Sequence, residues 1–433
     1  MKISAISKKY GVSKDTLYFY ISKGLLIPRI NGKQYLADET FERDLQMILK
    51  YRDWGFQLNE IHSALSIIRK NPPGEERKAN QLLAGILRQR AETISEEILD
   101  LQTKLDEISK DTDALIGATE KLNEPSGKKL GMPLSMVPML RCPKCGGSLD
   151  FFNSEMSQTQ ITNADISCTC GYKARIHEGI LLTPNQNQSK YDQADVGKVI
   201  YSDVPDILTS LYQKSYYVME KYLGDVLRNE AVVMETHLNA YFYLQYELDL
   251  LEKNNCRLIL VDKYPEILMM YKEALESKGR DIDVMFIAND GTDLPIRHGM
   301  VDVFVDFFGS NEHQFFNETY LLDEIHEYLS DLSYVVGTYF SLPGSRQSIK
   351  NMMQYYPEAT ANNFNLSLFK EKLKSSGFIQ IISEHIGETS DTGEDYRCLG
   401  FINEDEKIRL DSFLLRKGVP GSSTWASLLS DYK

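Results

Sequence analysis

The chain has 433 residues, of which 42% are hydrophobic and 25% are charged, and its formal net charge at pH 7 is −14. The length predicts more than one domain, the composition is that of a globular protein, and no apolar run approaches the roughly 20 residues of a membrane-spanning helix. The N-terminus enters patterned sequence without room for a signal peptide, so we expect a cytoplasmic protein with no membrane contact.

Basic residues are concentrated at the N-terminus. Residues 1–37 contain seven Lys or Arg and one acid, a net charge of +6, so residues 38–433 carry −20. A basic end on an acidic body is typical of a protein that contacts the phosphates of double-stranded DNA with that end only. The acidic remainder disfavours non-specific coating of DNA.

Residues 1–70 are predicted to form a winged helix-turn-helix. Gly11 permits a tight turn after a short first helix, and Ser13 is a good N-cap for the second helix, which would be the recognition helix. Asn31 and Gly32 lie between strand-like residues, a strong hairpin signal, and predict the wing. The predicted DNA contacts are Ser13, Lys14, Asp15, Thr16, Tyr18, Tyr20, Arg29, Lys33 and Gln34.

Four runs in this region stand in a distinctive order: Gly11-Val12-Ser13, Thr16-Leu17-Tyr18-Phe19-Tyr20, Gly24-Leu25-Leu26-Ile27-Pro28 and Arg52-Asp53-Trp54-Gly55-Phe56-Gln57-Leu58-Asn59-Glu60-Ile61. With these runs, residues 1–70 resemble the DNA-binding domain of the MerR family of bacterial transcription regulators. Tyr18 stands where the family usually has Arg, and Lys33-Gln34 where it has Tyr-Arg, so the phosphate contacts should be redistributed. The resemblance implies a bacterial protein that binds promoter DNA, works with RNA polymerase and is nucleoid-associated when bound.

A single long helix is predicted over residues 76–124, after the break at 71–74. Its apolar residues alternate at intervals of three and four, which predicts the seam of a coiled coil. A long helix packed on the chain's own body is the alternative. The resemblance implies a homodimer formed by antiparallel pairing of this helix, and a two-fold protein reads a two-fold operator. The predicted seam is Ala84, Leu87, Ala91, Ile94, Ile98, Leu101, Leu105, Ile108, Thr112, Leu115, Thr119 and Leu122.

Four cysteines predict a small zinc ribbon over residues 138–185. Cys142 and Cys145 form one pair, and Cys168 and Cys170 follow after a strand-like stretch. Four thiolates on two glycine-flanked turns suit tetrahedral zinc, and a site with four protein ligands is structural because no position is left open. His177 could replace one cysteine of the second pair. Free buried thiols and a redox switch are the alternatives.

Residues 190–433 alternate strand and helix patterns, which predicts a doubly wound, largely parallel sheet covered by helices. A helical stretch follows the first strand as far as residue 251. The predicted strands are 231–235, 257–262, 283–288, 301–306, 332–337, 379–383 and 396–402, and the later helices are 265–277 and 366–376.

The acid Asp262 ends the second of these strands, and Asp290-Gly291 follows the third, with Leu294-Pro295 beyond it. In these positions residues 200–410 resemble class I methyltransferases that use S-adenosylmethionine, where the acid binds the ribose and the second motif lies beside the adenine. The family also has a glycine-rich loop after the first strand. Here His237, Asn239 and Tyr241 stand in place of the glycines, and their side chains would occupy cofactor space. We therefore do not expect this cofactor to bind, and we assign no catalytic residue.

A cleft at the carboxyl ends of these strands would have an aromatic lining suited to a flat or cationic ligand. The predicted effector cleft comprises His237, Asn239, Tyr241, Asp262, Asp290, Phe307 and Phe308.

The sequence thus predicts a multidomain α and α/β protein with a winged helix-turn-helix, a coiled-coil helix, a zinc ribbon and a Rossmann-like, methyltransferase-like domain. We expect a dimeric transcriptional regulator whose last domain senses a small-molecule effector without catalysis. The alternatives are an active methyltransferase targeted to DNA and a protein-docking scaffold.

Overall fold

The computed structural model describes residues 1–32, 34–70, 74–122, 129–187, 193–197, 204–344, 346–391, 400–403 and 405–418. Lys33, the side chains of Thr119 and Leu122, and most of the strand predicted at 396–402 lie outside the described residues. The chain divides into two compact units, residues 1–121 and 122–433. In the described residues no helix combines the length and the apolar character that a membrane span requires.

The first unit is a helical domain with a two-stranded wing, followed by one long helix. Its elements are α1 (Ile3–Tyr10), α2 (Lys14–Ser22), β1 (Arg29–Asn31), β2 (Gln34–Leu36), α3 (Glu39–Asp53), α4 (Leu58–Arg69) and α5 (Glu76–Leu122). In the wing, Asn31 pairs with Gln34. Asn31 therefore belongs to the first strand, whereas the sequence placed it in the turn.

Much of the long helix α5 exposes apolar side chains in the part of the chain that the structure describes. Its first turns pack on the helix-turn-helix core through Leu83, Ile86 and Leu87. Beyond them, seam residues such as Leu105 and Leu115 are exposed. At least 50% of the surface is exposed in Ile98, Leu101, Leu105, Ile108 and Leu115.

The second unit contains the remaining strands and helices. The strands are β3 (Met132–Pro133), β4 (Asp150–Ser157), β5 (Gln160–Ser167), β6 (Lys173–His177), β7 (Ile180–Leu182), β8 (Val232–Thr236), β9 (Arg257–Asp262), β10 (Asp283–Ala288), β11 (Val301–Phe307), β12 (Leu329–Ser341), β13 (Phe378–Thr389) and β14 (Ile408–Lys417). The helices are α6 (Asp206–Val226), α7 (Leu248–Lys253), α8 (Pro265–Lys278), α9 (Gly309–His313), α10 (Leu321–Glu324), α11 (Arg346–Tyr355) and α12 (Leu366–Ser375).

One mixed sheet runs through the whole unit, in the order β13-β14-β12-β11-β8-β9-β10-β7-β6-β5-β3, with β4 beside β5. The strands from β12 to β10 are parallel, and β14 is antiparallel to both of its neighbours. Numbered within this half, the order is 3-2-1-4-5-7-6 with the seventh strand reversed. That is the sheet of the methyltransferase-like Rossmann fold, as the sequence predicted.

The cysteine ribbon continues this sheet. Strand β7 pairs in parallel with β10, with Leu181 opposite Ile287, and β6 and β5 follow in antiparallel order. Leu181 and Ile287 are both in the main hydrophobic core. The ribbon and the Rossmann-like strands therefore fold around one core.

Two sequence predictions in this half need correction. After β8, a short 3-10 turn at Leu244–Tyr246 precedes α7, so regular helix begins later than predicted, at Leu248. The last strand is β14, and residues 400–402 form a turn and a bend rather than part of a closing strand. The reason is the pairing with β12: β14 forms eight residue pairs with that strand and all of its residues are buried or half-buried, whereas the predicted segment offered only a short apolar run.

Candidate DNA interface, cysteine cluster and cleft

Helix α2 presents a polar, solvent-facing first turn. Ser13 caps it by accepting a hydrogen bond from the backbone N–H of Thr16 at 3.0 Å. Lys14 and Asp15 are exposed, and Tyr18 is 47% exposed. These side chains lie on one solvent face at the start of the helix, as direct contact with a major groove requires.

Tyr20 differs from the other predicted contacts. Its side chain is 7% exposed and packs in the core of the first unit, so we assign it a packing role. On the wing, Gln34 is exposed, and the Arg29 guanidinium is exposed while its Nε donates to Asp38 at 2.7 Å.

Two exposed aromatic residues beside this face were not among the predicted contacts. Tyr35 on the wing lies 6.3 Å from Tyr18, centroid to centroid, and Phe19 is 43% exposed. The alternation of β2 could have indicated Tyr35, because its neighbours on the strand face the other side. Tyr18, which stands where the MerR pattern has arginine, and Tyr35 together form an aromatic edge.

A buried ion pair supports the turn that follows α2. Arg69 at the end of α4 donates to Asp44 at 2.8 Å and to the carbonyls of Gly24 and Leu25. Asp44 is 3% exposed. A single guanidinium therefore joins α3, α4 and the exit of the recognition helix.

The four cysteines converge. Their sulfur atoms all lie within 4.8 Å of one another, with Cys142 and Cys170 at 3.4 Å and Cys145 and Cys168 at 3.5 Å. A zinc ion with Zn–S bonds of about 2.3 Å sets sulfur atoms about 3.8 Å apart, so small shifts would complete a tetrahedron. His177 is not part of this group among the described residues. The cluster can hold a metal ion.

The ribbon also holds the loop that follows β10. On one side, Thr183 donates through its hydroxyl to Asn289 at 2.7 Å, and Asp290 donates its N–H to the carbonyl of Asn185 at 2.8 Å. On the other side, Arg141 donates its N–H to the carbonyl of Pro295 at 3.0 Å. Arg141 directly precedes Cys142. Both ends of residues 289–295 are thus attached to the segment that carries the four cysteines.

A narrow cleft lies at the carboxyl ends of β8, β9 and β10. Of the predicted effector residues, it brings together His237, Asn239, Asp262 and Asp290. Asp262 is 2% exposed and accepts hydrogen bonds from the backbone N–H groups of Asn239 at 2.7 Å and Tyr264 at 2.9 Å. Its carboxylate therefore fixes the loop after β8 as well as lining the cleft.

Side chains fill the part of this loop where the methyltransferase pattern has glycine. His237 has a φ of 61°, a left-handed conformation that glycine adopts without strain and histidine does not. Asn239 reaches across to residues 193–195, accepting from the N–H of Asp195 at 2.9 Å and donating to the carbonyl of Gln193. These residues do not fit a methionine tail laid against the backbone, because Asn239 and residues 193–195 occupy the approach.

Two histidines face each other in the cleft. The rings of His237 and His313 lie 5.5 Å apart. Burial, followed by the positive charge of His313, lowers the pKa of His237 to about 3, and burial lowers the pKa of His313 to about 4. His313 is 2% exposed and its Nδ1 atom has no hydrogen-bond partner among the described residues. Both rings are neutral at pH 7.

The cleft contains two further residues that sequence reasoning missed. Lys263 lies with its Nζ 4.2 Å from the ring centroid of Phe316. Lys263 follows the acid Asp262 directly, which could have indicated it. Nothing in the pattern around Phe316 indicated that residue, because it comes from a short connection after α9 that folds over the cleft.

The aromatic members of the predicted cleft lie elsewhere. Tyr241 lines a second pocket, separate from the cleft of His237. Phe307 is buried beneath Tyr241, with ring centroids 4.8 Å apart. Phe308 contacts Phe307 and has a φ of 61°. Of the seven predicted residues, four therefore line the cleft, Tyr241 lines the second pocket, and Phe307 and Phe308 belong to the hydrophobic core.

These features define a DNA-binding protein in which a winged helix-turn-helix precedes a methyltransferase-like domain. Residues 1–66 match the family described as MerR HTH family regulatory protein. The N-terminal domain is therefore a MerR helix-turn-helix domain, the DNA-binding part of a transcriptional regulator. No curated protein matches the chain.

Solved structures similar to this chain are methyltransferases and related proteins. The MccD protein is 13% identical, with 46% of this chain and 96% of that chain covered and a TM-score of 0.38. A SAM-dependent methyltransferase from Aquifex aeolicus is 13% identical, with 52% and 99% covered and a TM-score of 0.35. Phosphoethanolamine N-methyltransferase 2 from Haemonchus contortus is 15% identical, with 47% and 53% covered and a TM-score of 0.35. The fold assignment rests on the strand order described above.

Proposed function

We propose that this protein is a dimeric, promoter-binding transcriptional regulator of the bacterial cytoplasm whose methyltransferase-like domain senses an effector without transferring a methyl group. The observation that carries the proposal is the loop after β8. His237 takes the first glycine position at a φ of 61°, and Asn239 holds residues 193–195 across the methionine side. A domain that bound S-adenosylmethionine would need glycines at these positions, so that the methionine moiety could lie directly against the backbone.

The dimer is proposed from the seam of α5. Five apolar seam residues lie exposed along one stripe of a 47-residue helix, which is costly in water for a helix that works alone. An antiparallel twin would bury the stripe and set two recognition helices on a two-fold operator. RNA polymerase is then the expected partner at the promoter, as for other MerR-type regulators.

The four cysteines are proposed to hold one structural zinc ion. Four thiolates complete its coordination and leave no position for a substrate. The ion would add stability to the ribbon, and through Arg141 and Thr183 to the cleft wall.

In this proposal the effector acts by binding one dimer geometry better than the other. A ligand can shift that equilibrium only by its differential affinity for the two states. The signal would pass along the chain from the second unit into α5, which leads back to the recognition helices.

Calorimetric titration of the full-length dimer with S-adenosylmethionine tests the proposal. We expect no binding at micromolar concentrations and no methyl transfer to duplex DNA carrying the operator. The double variant His237→Gly with Asn239→Gly is the matched comparison, because it restores two glycines while leaving Asp262 and Asp290. Micromolar binding with turnover by the unaltered protein would contradict the proposal and favour a methyltransferase targeted to DNA.

A further inference from the structure

The second pocket is distinct from the cleft and is lined mainly by tyrosine. It encloses about 940 Å³ of space that opens to solvent between α6, the loop after β8 and α8. We call it the tyrosine pocket, and its five tyrosines are Tyr212, Tyr216, Tyr241, Tyr246 and Tyr271. One loop lines both sites: Asn239 faces the cleft and Tyr241 faces the tyrosine pocket.

The rings are held in a fixed array. Tyr216 stacks on Tyr246 with centroids 5.5 Å apart, and Tyr241 lies 6.3 Å from Tyr246 at an interplanar angle of 21°. Their hydroxyl groups bond to one another, Tyr216 to Tyr241 and Tyr241 to Tyr246. Because the hydroxyls are used within the array, the remaining surface of the pocket is largely ring.

The side chains that line this pocket carry no formal charge at pH 7. The lining residues that are not tyrosine are a valine, a threonine and two glutamines, so the lining described here contains no lysine or arginine. Burial raises the pKa of Tyr271, and the carboxyl groups of Asp262 and Asp195 raise it further. Asp195 also has a buried oxygen, Oδ2, with no hydrogen-bond partner among the described residues.

One lysine lies beside the pocket. Lys278 donates from Nζ to the backbone carbonyl of Gln245 at 3.3 Å, and Gln245 is a lining residue. Its ammonium group is engaged at the rim. It would oppose a bound cation, which makes it useful as a test.

We propose that the tyrosine pocket binds an organic ammonium cation of the trimethylammonium type and is the effector site of the sensor domain. The faces of aromatic rings attract cations. A quaternary ammonium is only weakly hydrated, so its transfer from water to the ring faces costs little free energy of dehydration. An inorganic cation would need several oxygen ligands instead, and the ring faces do not supply them. This inference rests on the proposed function for its regulatory meaning, but the binding itself does not depend on DNA.

Calorimetric titration of the full-length protein without DNA tests the charge requirement. The probes are choline and 3,3-dimethylbutan-1-ol, which has the same shape but carries carbon in place of the charged nitrogen. We expect choline to bind at least about tenfold more tightly than the neutral alcohol. Equal affinities, or no binding of choline at 10 mM, would overturn the inference.

Variants locate the site. Tyr246 is 59% exposed, so Tyr246→Leu should fold normally, lose a ring face and weaken choline binding about tenfold, whereas Tyr246→Phe should keep the affinity. Tyr217 is a matched control, because it lies 63% exposed on α6 outside the pocket lining. Tyr217→Leu should leave binding unchanged, and Lys278→Gln should tighten it. Equal losses in Tyr246→Leu and Tyr217→Leu would refute the assignment of the site.

The regulatory step is measured separately, as the change in operator affinity caused by choline. If choline binds through Tyr246 but leaves operator affinity unchanged, the pocket assignment stands and the sensor function fails. If the operator responds to another compound while choline does not bind, the pocket assignment fails and the sensor function stands.

Discussion

The hydroxyl of Thr183 donates a hydrogen bond to the side-chain oxygen of Asn289 over 2.7 Å, and this contact attaches the cysteine ribbon to the wall of the cleft. Asn289 in turn donates to the carbonyl of Gly291, and its own N–H donates to the carbonyl of Asp262. The shape of the cleft wall therefore depends on how firmly the ribbon is folded. Metal binding at the four cysteines should therefore stabilise the conformation of the cleft wall at Asp290, although the two sites share no ligand.

Removal of zinc should loosen the cleft wall. Metal analysis is expected to give about one zinc per chain, because the four thiolates form one closed site. A chelator should then lower Tm and speed amide hydrogen exchange in residues 289–295, since folding of a ribbon is coupled to metal binding. In Cys145→Ser the exchange should already be fast, and the chelator should add little. Unchanged exchange after full loss of zinc would show that the ribbon does not support the cleft.

Charge reversal on the recognition helix should weaken operator binding. Lys14 is exposed at the start of α2, where a recognition helix approaches bases and phosphates. With an operator selected from random duplexes, Lys14→Glu should weaken binding by about tenfold or more and make binding less dependent on salt. Lys214→Glu on α6 makes the same change of net charge and should have little effect. A similar loss in both variants would mean that net charge, not this contact, determines binding.

A charge in the seam of α5 should separate the dimer. Burying one leucine from each of two chains contributes about 4 kcal/mol, so Leu105→Lys should raise the dimer dissociation constant about 1000-fold. Leu99 is an exposed leucine on the same helix outside the seam, and Leu99→Lys should leave the dimer intact. Sedimentation equilibrium distinguishes the two variants. If the wild-type protein is monomeric, or if both variants are equally monomeric, the assignment of the seam as the dimer interface is contradicted.

The neutral histidines of the cleft should make the second unit less stable in acid. An unfolded histidine has a pKa of about 6.5, whereas burial lowers the pKa of His313 to about 4. Below pH 6.5 the unfolded chain therefore binds a proton at His313, whereas the folded protein keeps this histidine neutral. The stabilisation is complete above pH 6.5 and is lost as the pH falls toward 4, by about 3 kcal/mol for this residue.

Amide hydrogen exchange in β8 and β11, measured from pH 7 to pH 4.5, reports this loss. His313→Gln should have a shallower dependence on pH, and the exposed His298→Gln should match the wild type. Burial raises the pKa of Glu235 to about 8 and that of Asp306 to about 6, which gives a slope of opposite sign in all three proteins. The comparison between variants therefore isolates His313. Identical slopes for His313→Gln and the wild type would rule out this role.

Local patterns predicted most elements of both units because the relevant interactions are short in range. Ser13 caps α2 through a contact three residues away, and the strands of the Rossmann-like half are continuous apolar runs that can only be buried. Strands β9 and β10 begin and end at the predicted residues. The pairing of the cysteines in two short motifs likewise indicated a common site before any fold was known.

Contacts between distant segments could not be read from the sequence. Tyr20 belongs to a helix face that the sequence leaves ambiguous, and only packing against α3 and α4 decides that it is buried. Arg69 reaches Asp44 from 25 residues away and also binds the carbonyls of Gly24 and Leu25. Of the aromatic residues predicted for the cleft, Tyr241 lines a separate pocket and Phe307 is buried in the core, a division that no local periodicity encodes.

The sequence by itself determined the class of the N-terminal domain, the order of the strands along the chain and the grouping of the four cysteines, since each depends on residue type at a fixed spacing. Only the tertiary structure decided that the ribbon extends the sheet, that Asn239 bonds to residues 193–195 and that five tyrosines surround a separate pocket. The physical reason is that these features come from pairing and burial between segments far apart in the chain, such as those of Ile180 and Phe286, which are 106 residues apart, and the energies of such contacts depend on the whole fold.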